Sequence, residues 1–267
     1  MLPVLPYPGG MNTTKTTNGV SNEIAAAGSA PDAPAKAPSV GGNVFDRAFL
    51  TDVEDVTEVL LIRHGQQQFE LGRPIGETVD PPLSDQGRHQ ARLLGEALST
   101  ANIDAIYCSG LQRARDTALA VAAHHRLEPI IIDDLREIEF FRDVPREERV
   151  EDFVGKSLLM AVRQRMLTER SWDVYPHTEP SREFRKRAIN AIESAIASQE
   201  AKRICIVCHG AVINAYIGHI VGSPYDMFFR PAHTSISVVA AGGGLRVLHH
   251  LNDVHHLRTP EGHFITH

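Results

Sequence analysis

Val59-Leu60-Leu61-Ile62-Arg63-His64-Gly65 is the stretch that decides the fold class. Four apolar residues in succession read as a strand buried in a parallel sheet. The run stops on a glycine and delivers an arginine and a histidine to its carboxyl end. In open α/β sheets, that edge is where ligands bind. The planar fork of arginine donates paired, charge-assisted hydrogen bonds that suit phosphate. A neutral imidazole is a nucleophile near pH 7. Taken alone, the tripeptide reads equally well as a strand exit with a glycine turn.

Other exits change that balance. Ile204-Cys205-Ile206-Val207-Cys208 is a second apolar run and ends on His209-Gly210 before a helical pattern. Ile103-Asp104-Ala105-Ile106-Tyr107-Cys108 ends on Ser109-Gly110, with Arg113 in the first turn of the following helix; Ser109 and Gln112 have capping-box spacing. Pro129-Ile130-Ile131-Ile132 reads as a fourth strand, and Glu137 lies just beyond it. Two histidines, two arginines and a glutamate therefore gather at strand carboxyl ends. Apolar spacing predicts helices over 85–99, 111–124, 182–198 and 211–221. Strands near 235–240 and 245–250 flank Gly242-Gly243-Gly244, a hairpin signal. This alternation predicts an α/β fold, a three-layer α/β/α sandwich with a mostly parallel mixed sheet and an antiparallel edge.

The ordered set Leu61-Ile62-Arg63-His64-Gly65, Leu83-Ser84-Asp85-Gln86-Gly87, Ser109-Gly110-Leu111-Gln112-Arg113-Ala114 and Cys208-His209-Gly210 resembles the histidine phosphatase, or phosphoglycerate-mutase-like, superfamily. The resemblance spans roughly residues 57 to 258 and includes Leu251-Asn252-Asp253 as a last strand exit. It implies a phosphoglycerate-mutase-like sheet and a phosphomonoester hydrolase working without a metal or other cofactor. His64 would be the nucleophile that becomes phosphorylated. Arg63, Arg113 and His209 would hold the phosphoryl oxygens, helped by the amides opening the helix after His209. Glu137 would be the general acid, with Glu139 as its competitor. Two alternatives stand beside hydrolysis: a mutase-type phosphotransferase and an inactive binding scaffold.

Departures from the family pattern fall around the rim. Glu70 stands where an asparagine is common, Gln67 where a serine or threonine is common, and Phe140-Phe141-Arg142-Asp143 and Thr178-Glu179-Pro180-Ser181 replace familiar stretches. Residues 140–180 read as a cap-like insertion, with one helical face through Val150, Phe153, Val154, Leu158, Ala161, Val162 and Met166; Arg142, Arg146 or Trp172 would select the group carrying the phosphate.

With 267 residues, 42% hydrophobic, the chain can build one full-sized core. A net charge of −6 argues against a partner with a phosphate backbone, so a small phosphate monoester is the expected partner and nucleic acid is not. Nor is a membrane, since no apolar stretch is long enough to span one. The oligomeric state is left open, with a homodimer as one expectation. Residues 1–45, rich in Pro, Ala, Gly and Thr, read as a disordered leader without a secretion signal, ahead of a domain over 46–267. Met11 offers an alternative start. Three cysteines cannot form a disulfide framework and point to the reducing cytoplasm. Cys205 and Cys208, three apart in a strand, face opposite ways and read as core thiols. His249-His250 and His255-His256 invite metal binding, but the first pair splits across two faces, and no metal site is expected.

Overall fold

Residues 43–70, 72–198 and 202–267 are described in a computed structural model. Most of the leader expectation, residues 1–42, lies outside them. At the expected start of the domain, 45/46, the chain is helical. Asn43 caps α1 (Val44–Phe49) through a capping box closed by Asp46. In chain order follow β1 (Thr57–Arg63), α2 (Ile75–Thr78), α3 (Asp85–Leu98), β2 (Ala105–Cys108), α4 (Gln112–Ala122) and β3 (Ile130–Ile131). After a long irregular stretch come α5 (Val150–Val154), α6 (Lys156–Glu169), α7 (Ser181–Ala197), β4 (Arg203–Cys208) and α8 (Gly210–Val221). The chain closes with β5 (Ile236–Gly242), β6 (Leu245–Asp253) and a small ribbon, β7 (Arg258–Thr259) and β8 (Gly262–His263).

The main sheet has the order β3-β2-β4-β1-β5-β6. β4 lies parallel to β1 and β2, and β3 parallel to β2; β5 and β6 form the antiparallel edge. Strand alternation divides the core. Val59, Leu61, Ile204, Ile206 and Cys208 share one apolar cluster with Phe184, Ala188 and Ile192 of α7 and Val212 and Tyr216 of α8. Leu60, Ile62, Cys205 and Val207 face the other way, onto Leu94 of α3 and Ala114, Ala118 and Val121 of α4. This is the expected three-layer sandwich, and Cys205 and Cys208 lie on opposite faces as their spacing required. Gly243 and Gly244, with φ of 53° and 79°, make the two-residue turn between β5 and β6.

Three local expectations fail. The fourth strand shrinks to two residues, and Ile130 and Ile131 are half exposed at the sheet edge rather than buried. The Ser109–Gln112 capping box does not form. Leu111 is the N-cap of α4, and the amide of Gln112 donates to Asp80 Oδ1 at 2.9 Å, so a distant loop supplies the cap. The helical face predicted through 150–166 is broken at Gly155, whose φ of 88° ends α5 and starts α6. Of that face only Val162 is buried, while Phe153 and Leu158 stay about half exposed.

Register aligns the chemistry. Arg63 pairs with Cys208 and Cys108 with Val207, so β1, β2 and β4 end side by side. The His64 amide donates to the Cys208 carbonyl at 3.0 Å. A close backbone approach then seats α3 beneath the first exit. A Cβ built on Gly87 would stand 1.9 Å from the Gln66 carbonyl oxygen. Gly87→Ala is therefore expected to destabilise the protein by about 3 kcal/mol, since backbone rather than a flexible side chain must yield. Chemical denaturation measures this, and an unchanged midpoint would contradict the approach.

Candidate active site

His64 emerges from β1 and is almost wholly buried. Its Nδ1 lies 2.7 Å from the Gly65 carbonyl. A carbonyl only accepts, so Nδ1 carries the proton and Nε2 keeps its lone pair. Arg113 Nε donates toward that lone pair at 3.3 Å. Burial first, then His209, Arg113 and Arg63, pushes the imidazole pKa well below its ordinary value and keeps the ring neutral. The exit loop is pinned from α3 and α4: Gly65 N donates to Thr117 Oγ1 at 3.0 Å, and Gln66 N to Gln90 Oε1 at 2.9 Å.

The other expected residues converge on it. His209, the N-cap of α8, stands with its ring centroid 4.9 Å from that of His64, and its Nε2 meets Ser109 Oγ at 2.9 Å. Burial, then Arg113 and Arg63, also lowers its pKa well below normal. Arg63 Nη1 donates to the Pro231 carbonyl at 2.6 Å. Burial lowers its pKa to about 10, against the opposing pull of Glu137. Arg113 is lowered by burial as well, while Glu137 and Asp80 oppose the shift; Asp80 Oδ1 lies 3.6 Å from its Nη1.

Glu137 sits opposite these cations, half-buried. Its carboxylate accepts from Ile138 N at 3.1 Å and Ala211 N at 3.4 Å. Burial raises its pKa, with Arg113, those amides and Arg63 opposing. An amide at the start of α8, expected to serve phosphate, is thus taken by this carboxylate. Glu139 lines the same cavity, but it is about half exposed and lies 3.7 Å from Arg136.

Arg187 of α7, which the sequence reading passed over, holds the acid-bearing loop. It donates to the carbonyls of Asp134, Arg136 and Glu137 at 2.8, 2.9 and 3.2 Å, and pairs with buried Glu179 at 2.7 Å. Asp80 and His233 were missed too. No strand exit announces them; their positions depend on loops folding back.

A cavity of about 770 Å³ opens from Arg113 and Glu137 toward residues 140–163. Arg142 and Arg146 line it, as expected for a rim. Trp172 does not: it is buried against Phe140, ring centroids 5.6 Å apart. Glu70 also lines the cavity, yet its carboxylate pairs with Arg73 at 2.6 Å, which offsets the charge that would repel phosphate. Gln67 bridges to Leu83 at the cavity edge.

Four histidines held neutral make a pH prediction. His64, His209, His233 and His256 all have lowered pKa values, the last two to about 3 and about 4. Below about pH 6.5 the unfolded chain takes up protons that the folded one refuses, so stability falls with pH, by about 1.4 kcal/mol per pH unit for each such histidine. Urea unfolding between pH 7 and 5 reads this, and a flat profile would contradict it.

The histidine phosphatase superfamily (branch 1) profile matches residues 59–254. An uncharacterized phosphatase, PhoE, of Bacillus subtilis is 28% identical over 174 residues, spanning 64% of this chain and 81% of that protein. A probable phosphoglycerate mutase, GpmB, of Serratia proteamaculans is 29% identical over 167 residues, spanning 62% and 76%. The solved structure of Bacillus stearothermophilus YhfR superposes with a TM-score of 0.64 at 27% identity, covering 75% of this chain and 98% of that one. The match runs through every strand of the main sheet, and the chain belongs to the histidine phosphatase superfamily, branch 1.

Proposed function

We propose that this chain hydrolyses small phosphate monoesters through a phosphohistidine on His64. The supporting observation is the His64 imidazole itself, with Nδ1 committed to a carbonyl and Nε2 directed at Arg113. His64 Nε2 attacks phosphorus, the ester bond breaks, and Glu137 protonates the departing oxygen. Water then attacks the phosphohistidine while the Glu137 carboxylate takes its proton, and inorganic phosphate leaves. Arg63, Arg113 and His209 hold the three phosphoryl oxygens, whose charge is the main demand of the transfer. The chain's own groups supply each step, so no metal is called for.

Hydrolysis is preferred to mutase action on the sequence pattern, which does not match the extra basic cap segments of the family's mutases, although Arg142, Arg146, Arg149 and Arg163 border the cavity. The preference is tested by supplying phosphoglycerate with a bisphosphate primer. Free phosphate should accumulate from aryl and sugar phosphates, and a robust interconversion of phosphoglycerates would overturn hydrolysis as the main activity. Residues 140–180 act as the cap in this reading, and 46–267 as the working domain. No helix among the described residues is long and apolar enough to cross a membrane. The cytoplasm is the proposed location, consistent with free thiols at Cys108, Cys205 and Cys208, and cell fractionation tests it. A homodimer is the assembly to look for by light scattering.

A further inference from the structure

His233 lies on the loop that joins α8 to β5, 3% exposed, with its ring centroid 5.7 Å from that of His64. The loop is locked to the site. Thr234 N donates to the Arg63 carbonyl at 3.0 Å, and Ala232 N to Asn252 Oδ1 at 2.8 Å. Asn252, at the end of β6, takes a left-handed φ of 59°.

Hydrogen bonding fixes which ring nitrogen of His233 carries hydrogen. Gln90 Oε1 accepts from Gln66 N, so its Nε2 is the donor reaching Thr266 Oγ1 at 2.9 Å. Thr266 Oγ1 also lies 2.8 Å from His233 Nδ1. The threonine proton has no other acceptor among the described residues and goes to Nδ1, which leaves the hydrogen on Nε2. That Nε2 is buried without a partner, as are Arg63 Nε and His209 Nδ1. A buried polar group left unpaired costs about 1–3 kcal/mol, and here three such atoms belong to residues around one imidazole. Burial and the charge of Arg63 lower the His233 pKa to about 3, so its donor is a neutral N–H.

We propose that His233 is a third imidazole of the phosphoryl pocket, its Nε2–H donating to an oxygen of the transferred group. The inference rests on the phosphatase reading above. It adds a donor without adding charge, which favours an oxygen whose charge grows during transfer over one already neutralised by arginine.

The test compares wild type with H233F, which keeps a ring but no donor, and H233Q, which restores an N–H at similar reach. Orthovanadate serves as the five-coordinate probe and inorganic phosphate as the ground-state probe. H233F is expected to weaken vanadate by about 30-fold and phosphate by about threefold, with H233Q within about fivefold of wild type for both. Vanadate binding by folded H233F within threefold of wild type overturns the proposal. Should H233F fail to fold, 15N NMR of wild type decides. An Nε2–H resonance of His233 that shifts on adding phosphate supports the contact, and one that stays fixed removes it. If wild type itself binds neither probe and hydrolyses no aryl phosphate, the phosphatase reading falls and takes this inference with it.

Discussion

His64→Ala lowers kcat for an aryl phosphate by about 10⁴-fold or more, and acid quenching of the variant with labelled substrate leaves no phosphoryl group on the protein. The size of the effect follows from the geometry. Arg63, Arg113 and His209 can still bind phosphate in the variant, so KM should change far less than kcat. What disappears is the Nε2 lone pair that the Gly65 carbonyl keeps unprotonated by holding the proton on Nδ1. Solvent water would have to attack a dianion from an unprepared position. His209 cannot replace it, because its Nε2 is engaged with Ser109 and its place is the start of α8. The lowered pKa of His64 in the free protein adds a condition: kcat/KM should not collapse through protonation of this imidazole as pH falls through 6.5. A variant within tenfold of wild type would show that the phosphoryl group never visits this residue.

Glu137→Gln separates substrates by their leaving groups. For an alkyl ester the departing alkoxide needs a proton, and the expected loss is about 10²–10⁴-fold. For p-nitrophenyl phosphate the leaving group departs unaided, so phosphohistidine should still form rapidly and then persist, visible as a burst of nitrophenolate. The raised pKa of Glu137 keeps the acid protonated above the usual carboxylate range. Wild-type rates on alkyl esters should therefore decline as rising pH ionises Glu137, later than an ordinary glutamate would, and the glutamine variant should lack this limb. If Glu139→Gln produces the same pattern and Glu137→Gln does not, the acid is the neighbour, despite its exposure beside Arg136.

Much of this was readable from the chain because strands and helix starts carry strong local signals. The runs at 59–62 and 204–208 are apolar on both faces, so they could only lie inside a covered sheet, and their final residues had to meet at one edge. His64, Arg63 and His209 were legible for that reason. Arg113 was legible too, though the Ser109–Gln112 capping box does not form: Asp80, which no local pattern ties to Gln112, provides the cap. The long face through 150–166 failed on a single residue, as Gly155 takes a backbone conformation that ends one helix and begins another. Asp80, Arg187 and His233 stayed hidden because each acts from a segment that reaches the site only after the chain has folded back on itself.

The guanidinium of Arg187 ties three carbonyls of one short loop, those of Asp134, Arg136 and Glu137, to a helix. Glu137 is thereby fastened to the sandwich rather than to the mouth of the cavity, and substrates of different bulk cannot be admitted by shifting the proton donor. Accommodation has to come from the 140–163 wall, where Gly155 divides α5 from α6 and Arg146 and Arg163 border open space. Laboratory evolution toward a new ester should accordingly collect its changes between residues 140 and 163, leaving the proton-handling machinery as it stands.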